Sequence, residues 1–300
     1  MRILLLGKNG QVGWELGRLL PALGAVESFD YPVVDFSRPE DLRAFVRRGA
    51  WDVIVNAAAY TAVDQAEGEP DRAMAVNGTA PGVLAEEAAR MGAAIVHYST
   101  DYVFDGTKSA PYREEDPTGP LNVYGRTKLE GDRRIEAAGG SHLILRTSWI
   151  YGMRGRNFLL TIRRLAREQA KLRIVDDQVG CPTWCRPLAE ASIDLLRAVD
   201  RSEGESFSAK LASRRGVYHY SSEGEVSWFG FARAILELDP GGAKHWVHMA
   251  SPVKTEEYPT PARRPRYSVL SKEKIRKAFG VSIKTWRDQL VDCLQSESTS

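Results

Sequence analysis

The feature that most constrains the fold is a glycine-rich turn close to the start of the chain. An unbroken apolar run at residues 3–6 leads into a turn that holds Gly7, Gly10 and Gly13. Such a run without polar alternation is typical of a strand that is buried on both faces of a parallel sheet. Residues 14–20, directly after the turn, have helical periodicity. Strand, glycine turn and helix in this order predict the first βα unit of a doubly wound sheet.

The spacing of these glycines, GxxGxxG, indicates a dinucleotide site. Gly7 permits the tight turn, Gly10 lets the backbone approach a pyrophosphate, and Gly13 allows close packing of the helix on the strand. The helix start then offers oriented N–H groups to the phosphates. Asp30 ends the second predicted strand, where a carboxylate can accept hydrogen bonds from the adenosine ribose.

Strands and helices alternate along the first half of the chain. Further strands are predicted at residues 53–55, 94–100 and 142–146, and helices at 39–48, 71–90 (with a break or kink at Pro81) and 124–138. This rhythm predicts an α/β fold with a doubly wound, Rossmann-type parallel sheet in residues 1–152. We expect residues 153–300 to complete the sheet in part and to form a smaller, mixed α/β substrate-binding lobe. There, helices are predicted at 157–169, 187–199, 227–238, 271–279 and 284–294, and strands at 172–175, 217–220 and 246–249.

A tyrosine and a lysine four residues apart, Tyr124 and Lys128, lie in the predicted helix 124–138. This spacing puts both side chains on one face. We expect the ammonium to favour the phenolate and so to lower the pKa of Tyr124 below its reference of about 10. Such a tyrosine can exchange a proton with a carbonyl or an alcohol. The predicted strand 94–100 brings Thr100 to the same sheet edge, and His97 inside that strand is interpreted as a core histidine.

The sequence gives no indication of a nucleic-acid partner, a metal site or a membrane location. Lys+Arg 41 against Asp+Glu 39 leaves a net charge of +2, which gives no reason to expect nucleic acid or an acidic membrane as a partner. The cysteines, Cys181, Cys185 and Cys293, have no metal-ligand spacing and are interpreted as thiols in a reducing compartment. No apolar run approaches the roughly 20 residues of a membrane helix, and no signal peptide is recognisable. We therefore expect a cytoplasmic protein.

Together these motifs resemble the extended short-chain dehydrogenase/reductase family. The resemblance rests on the GxxGxxG turn, on Ser99-Thr100 and on Tyr124-x-x-x-Lys128, and it extends over nearly the whole chain. Further segments make the resemblance more specific, because they are similar to those of family members that act on dTDP-linked sugars. These segments are GQVGWEL (10–16), DFS (35–37), NAAAYTAVD (56–64), STDYVFDG (99–106), RTSW (146–149), DQVGCPT (177–183), PARRP (261–265) and YSVL (267–270).

The resemblance implies reduction of dTDP-4-dehydro-β-L-rhamnose to dTDP-β-L-rhamnose by hydride from NADPH, or from NADH. Tyr124 would protonate the nascent C4 alkoxide, Lys128 would hold the nicotinamide ribose, and Thr100 would bond the reacting oxygen. The positions that would contact the cofactor are Gly7, Gly10, Gln11, Val12, Gly13, Asp30, Asp35, Phe36, Ala59, Tyr60, Thr61, Tyr124 and Lys128. Those that would contact the sugar nucleotide are Thr100, Asp101, Tyr124, Trp149, Arg263 and Arg264.

The arginines among these positions lie in a proline-rich loop. Guanidinium groups pair bidentately with phosphate, so Arg263 and Arg264 are predicted to clamp the substrate diphosphate, with a solvated basic loop as the alternative. No arginine directly follows Asp30 or Phe36. The choice between NADPH and NADH therefore stays open.

Some family members place Mg²⁺ at a dimer contact through glutamates. Glu15 could be such a ligand, but no complete ligand set is recognisable, and no metal site is predicted. A homodimer also stays open.

Two other functions remain open. One is a non-catalytic, NADP-binding regulatory subunit that resembles the one of methionine adenosyltransferase. The other is a different nucleotide-sugar enzyme of the same extended family, such as an epimerase, a dehydratase or a reductase. The complete set of Thr100, Tyr124 and Lys128 favours catalysis over the regulatory function.

Overall fold

The computed structural model describes residues 1–169, 171–200, 205–239 and 250–297. The first half contains β1 (Arg2–Leu6), α1 (Gln11–Leu19), β2 (Ala25–Phe29), α2 (Pro39–Val46), β3 (Val53–Asn56), α3 (Val63–Ala66), α4 (Pro70–Met74), α5 (Ala80–Met91), β4 (Ala94–Thr100), α6 (Val123–Ala137) and β5 (Ser141–Thr147). The second half contains β6 (Ile150–Tyr151), α7 (Phe158–Glu168), β7 (Leu172–Val175), β8 (Val179–Gly180), β9 (Thr183–Trp184), α8 (Cys185–Val199), α9 (Phe207–Leu211), β10 (Gly216–His219), β11 (Val226–Ser227), α10 (Trp228–Leu238), β12 (Ala250–Val253), α11 (Glu273–Phe279) and α12 (Trp286–Glu297).

The centre of the fold is a six-stranded sheet in the order β10-β5-β4-β3-β1-β2. Every neighbouring pair is parallel, which confirms the predicted doubly wound α/β sheet. Since β1 pairs with β2 on one side and β3 on the other, the strand order reverses at β1. Open α/β sheets bind ligands at the carboxyl ends of the strands at such a switch point.

The apolar run of β1 supplies both faces of this sheet. Ile3 and Leu5 pack in the core cluster on one face, whereas Leu4 and Leu6 pack in the cluster on the other. Successive side chains of a strand point to opposite faces, so a strand covered on both sides must be apolar throughout. Burying each such leucine contributes about 1.5–3 kcal/mol.

The helix predicted at residues 71–90 contains a π-helical turn at Ala75–Thr79, between α4 and α5. The irregularity therefore precedes Pro81, which lies in the first turn of α5. Within the π-helical turn, Asn77 binds the backbone of Tyr60, accepting from its N–H at 2.8 Å and donating to its carbonyl at 3.0 Å. The turn thus holds the loop that follows β3, as π-helical turns often do near functional sites.

The second half contributes to the sheet and also builds a separate core. β10 pairs with β5, as expected for a half that partly completes the sheet. Tyr151, Leu159 and Phe231 belong to a further core cluster between α7, α10 and α12. The strand predicted at residues 246–249 lies outside the described residues, and the domain boundary after residue 152 stays a prediction. Within the described ranges, no helix has the length and apolar character that crossing a bilayer requires.

Candidate active site

A cavity of about 930 Å³ opens at the carboxyl edge of β1, β3 and β4. Its lining includes most of the residues predicted to form a site: Gly7, Gly10, Gln11, Val12, Asp30, Asp35, Phe36, Ala59, Tyr60, Thr61, Thr100, Asp101, Tyr124, Lys128 and Trp149. Gly13 is not part of the lining. Residues that are scattered over the first half of the sequence therefore meet in one concave site.

The glycine turn has the geometry that the sequence predicts. Gly7 has φ +84°, and a Cβ there would lie 2.4 Å from the backbone N of Ala58. A Cβ on Gly13 would lie 1.9 Å from the carbonyl O of Gly7, so only glycine lets α1 pack this closely on the turn. Gly10 is the N-cap residue and adds no side chain to the start of α1. The turn is thus a cradle beside unpaired helix N–H groups, and it fits a dinucleotide pyrophosphate.

Two carboxylates shape the other side of this cradle. Asp30 accepts hydrogen bonds from the backbone N–H groups of Asn9 and Tyr31, both at 2.8 Å, which ties the glycine turn to the end of β2. Asp35 accepts from the Ser37 N–H at 2.9 Å and from its hydroxyl at 2.6 Å. These bonds hold the pKa of Asp35 below its usual range.

Arg72 lies in the same part of the cavity lining, and its charge also lowers the pKa of Asp35. The sequence interpretation missed this residue. Arg72 is in α4, twelve residues beyond Tyr60, and no local motif connects it to the glycine turn. Only the packed fold brings it to the cavity.

The start of α6 places Tyr124. The Asn122 side chain accepts from the Gly125 N–H at 2.8 Å and donates to the Arg263 carbonyl at 2.8 Å. A Cβ on Gly125 would lie 2.2 Å from the Tyr102 carbonyl, so glycine allows α6 to pack against the turn after β4. Thr100 caps that turn, accepting from the Tyr102 N–H at 3.1 Å, and donates to Asp101 at 3.1 Å.

The prediction that Lys128 lowers the pKa of Tyr124 is wrong. Burial raises the pKa of Tyr124 to about 12, although a hydrogen bond with Thr100 acts in the opposite direction. The Lys128 amine points elsewhere: it donates to the Tyr98 carbonyl at 2.6 Å and lies 3.1 Å from Nε2 of His97. Burial lowers the pKa of Lys128 to about 8. Tyr124 is therefore a protonated phenol at neutral pH, the state that an acid needs.

Asp101 is a second unusual acid in the cavity. It is 2% exposed, and its Oδ2 has no hydrogen-bond partner among the residues that the structure describes. Burial raises its pKa to about 7, against hydrogen bonds from Ser268 and Thr100 that lower it. A buried oxygen without a partner costs free energy, so a bound hydroxyl group would be stabilised there.

Trp149 brings the second half of the chain to the site. It has φ +48°, a conformation that non-glycine residues rarely adopt. Its ring stacks on Trp228 with 3.4 Å between centroids and 4° between planes. A Cβ on Gly180 would lie 2.6 Å from this ring. Trp228, which no sequence motif indicated, thus supports a residue that lines the cavity.

The structure does not bring Arg263 and Arg264 into the cavity lining. Arg264 forms a bidentate pair with Asp64, at 3.0 and 2.7 Å, and also donates to Thr260 at 2.6 Å. The predicted diphosphate clamp is therefore not supported for Arg264, because its guanidinium fastens the 260–266 loop to α3. Of the arginines that the structure describes, Arg72 and Arg156 line the cavity.

The glutamate considered as a Mg²⁺ ligand is paired with arginines. Glu15 accepts from Nε of Arg186 at 3.3 Å and lies 3.6 Å from Arg18. In the described part of the chain, no group of three or more His, Cys, Asp or Glu side chains is arranged to hold a metal ion. The structure thus gives no support to a Mg²⁺ site.

Comparison with known proteins places this site in a family. The RmlD substrate binding domain family matches residues 1–299. A dTDP-4-dehydrorhamnose reductase from Burkholderia thailandensis is 47% identical over 298 residues, which cover 98% of each chain. The chain belongs to the dTDP-4-dehydrorhamnose reductase family.

Solved structures of dTDP-4-dehydrorhamnose reductases have the same fold over almost the full chain. One from Clostridium acetobutylicum is 34% identical with a TM-score of 0.89, covering 99% of this chain and 100% of that one. Another, from Bacillus anthracis in complex with NADP, is 31% identical with a TM-score of 0.86, covering 98% and 99%. The similarity therefore includes the second half of the chain as well as the sheet.

Proposed function

We propose that the chain reduces the C4 ketone of dTDP-4-dehydro-β-L-rhamnose to dTDP-β-L-rhamnose, the last step of dTDP-L-rhamnose synthesis, with a nicotinamide dinucleotide as reductant. The observation that carries this proposal is the single cavity that connects the glycine turn to Thr100, Tyr124 and Lys128. The reductase from Burkholderia thailandensis, 47% identical to the chain, supports the choice of substrate.

We assign the proton transfer to Tyr124. The cofactor, when bound, supplies the hydride. A carbonyl that accepts hydride develops negative charge on its oxygen, and donors already in place at that oxygen stabilise the transition state. The Tyr124 phenol, protonated at neutral pH, gives its proton to this oxygen and forms the C4 hydroxyl. Thr100, which is hydrogen-bonded with Tyr124, orients the phenol and provides a second contact for the oxygen.

We assign the cofactor to the glycine-turn end of the cavity. Gly7, Gly10 and the first residues of α1 would hold the pyrophosphate, and Asp30 and Asp35 would face the adenosine ribose. Arg72 gives this end a cation, which favours the 2′-phosphate of NADPH. The NADP bound to the Bacillus anthracis reductase is consistent with this preference.

The substrate sugar would lie between Asp101 and Trp149. The unpartnered Oδ2 of Asp101 would meet a sugar hydroxyl, and the Trp149 ring would pack on an apolar face of the sugar. Arg156 lines the cavity next to Gly155, which packs beside Gln11. We propose Arg156 for a ligand phosphate close to the start of α1.

The test is a turnover assay with purified protein, NADPH and dTDP-4-dehydrorhamnose, followed by the absorbance of the reduced nicotinamide. We expect oxidation of NADPH that depends on the sugar nucleotide. A regulatory subunit would bind NADPH without turnover. An epimerase would show no net oxidation and would purify with NAD bound. Either result would contradict the proposed function.

A further inference from the structure

A row of buried polar side chains connects the end of β3 to Lys128. The Asn56 amide nitrogen lies 3.1 Å from Nδ1 of His97, and Nε2 of the same ring lies 3.1 Å from Nζ of Lys128. The three side chains are at most 2% exposed. The proposed function gives a role to Tyr124 and places Lys128 in the cavity lining, but it leaves Asn56 and His97 without a role.

The orientation of the Asn56 amide is fixed from outside the row. The backbone N–H of Ala58 donates to Oδ1 of Asn56 at 3.2 Å. Because an N–H cannot donate to an amide NH₂ group, Oδ1 must face Ala58 and Nδ2 must face His97. Nδ1 of His97 is therefore a hydrogen-bond acceptor, and a neutral imidazole with an acceptor at Nδ1 carries its proton on Nε2.

The Nε2–H of His97 then points at Lys128. An ammonium group has no lone pair and cannot accept this hydrogen bond, whereas a neutral amine can. The amine can still donate to the Tyr98 carbonyl, which lies 2.6 Å away. We propose that His97 is a positioning residue: held in its Nε2–H tautomer by Asn56, it donates to Lys128 and favours the neutral amine over the ammonium.

The groups that face Lys128 differ in whether they favour its ammonium or its neutral amine. Asp132, also on α6, favours the ammonium, but its carboxylate is shared with Ser99 at 2.9 Å and Arg146 at 3.1 Å. Tyr124 is an uncharged phenol at neutral pH. Burial holds the pKa of His97 well below its usual range, so the ring is neutral. Burial, opposed by the charge of Asp132, brings the pKa of Lys128 to about 8.

As a consequence, the site gains or loses the positive charge of Lys128 close to neutral pH. This inference deepens the proposed function and rests on it for any effect that the charge of Lys128 has on turnover. The proton arrangement itself does not depend on any reaction. It can therefore be tested on the full chain without substrate or cofactor.

The test is an NMR titration of the full chain with ¹³C-labelled lysine, in which the ε-carbon shift reports the charge of Lys128 and Lys128→Arg identifies its signal. In His97→Gln, the side-chain carbonyl can turn to accept from the ammonium. We expect the midpoint of the Lys128 titration in this variant to rise by at least about one pH unit relative to the unchanged chain. The matched control is His219→Gln, which replaces another fully buried histidine of the same sheet, bonded to the Tyr112 carbonyl at 3.1 Å. We expect it to leave the midpoint in place.

An unchanged midpoint in folded His97→Gln, or an equal rise in His219→Gln, would overturn the proposal. If His97→Gln does not fold, Asn56→Asp is the second variant, because its carboxylate accepts from Nδ1–H and leaves Nε2 to accept from the ammonium. If the midpoint of the Lys128 titration does not rise in Asn56→Asp, that result also overturns the proposal. A risen midpoint in a chain without turnover would refute the proposed function and leave the role of His97 intact.

Discussion

At Tyr124 a single residue shows how burial competes with a neighbouring charge. The i,i+4 spacing to Lys128 was expected to lower the pKa of the phenol. In the structure the pKa of Tyr124 is raised to about 12, since the phenol is desolvated and the Lys128 amine is bonded to the Tyr98 carbonyl. The sequence spacing correctly brought both side chains to the cavity, but it could not show where the amine points.

Replacing Tyr124 by phenylalanine removes the proposed proton donor and little else. We expect Tyr124→Phe to lower kcat by about 10²–10⁴-fold, the usual contribution of a positioned acid. The Kd of NADPH, measured by fluorescence titration, should change little. Tyr258→Phe, at an exposed tyrosine, is the control and should keep full activity. Full turnover in Tyr124→Phe would remove this residue from the mechanism.

Arg72 is the residue that we expect to distinguish the two cofactors. Arg72→Ala removes a cation from the adenosine end of the cavity. The KM for NADPH should rise by about tenfold, the equivalent of about 1.4 kcal/mol, whereas the KM for NADH should stay nearly constant. Steady-state kinetics with both cofactors measure this. Arg133→Ala, at an exposed position on α6, is the control, and equal effects on both cofactors would contradict the assignment.

The residues of the site differ in how far the sequence could reveal them. Gly7, Gly13 and Thr100 belong to local motifs whose geometry the backbone imposes, and they lie where those motifs predict. Arg72 and Trp228 reach the site only through helix packing and a ring stack between distant segments. Nothing close to them in the sequence carries that information.

At the scale of elements, helices α2 and α5 are joined by a cluster of charges. Glu87 on α5 is 1% exposed at its side chain and pairs with Arg43 of α2, with Arg47 directly after α2 and with Arg90. Hydrogen bonds from these arginines, Arg47 first, lower the pKa of Glu87 to about 2. The carboxylate therefore stabilises the folded chain at neutral pH.

The pH dependence of this stabilisation has a defined sign. The folded-state pKa of Glu87 lies below its unfolded value of about 4.3, so the stabilisation is complete above that value and is lost as the pH falls towards 2. We expect Glu87→Gln to lower the free energy of unfolding by about 1–3 kcal/mol at pH 7 and by about half as much at pH 3. Urea unfolding at both pH values measures this.

Glu86→Gln provides the comparison for Glu87→Gln. Glu86 is the preceding residue, and its side chain is 55% exposed and pairs with Arg43 alone within the described part of the chain. An exposed pair contributes about 0–1 kcal/mol, so we expect a small change at either pH. An equal loss in both variants, or a loss in Glu87→Gln that is as large at pH 3 as at pH 7, would contradict this account.

The elements of the first half were more predictable than those of the second. Buried strands such as β1 and β3 are short, mostly apolar runs, a pattern typical of strands in a parallel sheet. In the second half, strands of two residues such as β8 and β9 pair in small separate sheets, and their formation depends on tertiary contacts. The π-helical turn at Ala75–Thr79 also has no signature in the sequence apart from the nearby Pro81.

At the scale of the whole molecule, the stack of Trp149 on Trp228 joins the second half to the edge of the sheet. We expect Trp228→Ala to raise the KM for the sugar nucleotide by about tenfold, a loss of about 1.4 kcal/mol within the usual worth of aromatic pairs. The Kd of NADPH should not change, because Trp228 is not part of the cavity lining. Phe229→Ala, at the neighbouring aromatic residue, is the control. A change confined to NADPH binding would refute this role of the stack.

The central claim concerns the whole chain: one cavity binds both the dinucleotide and the keto sugar, and hydride passes from the first to the second. The most direct measurement uses NADPH that carries deuterium at the transferable C4 position of the nicotinamide, with dTDP-4-dehydrorhamnose as substrate. The account predicts dTDP-rhamnose with one deuterium bound to C4 of the sugar, observed by NMR and mass spectrometry. Recovery of unreduced sugar, or a reduced sugar without deuterium at C4, would contradict it.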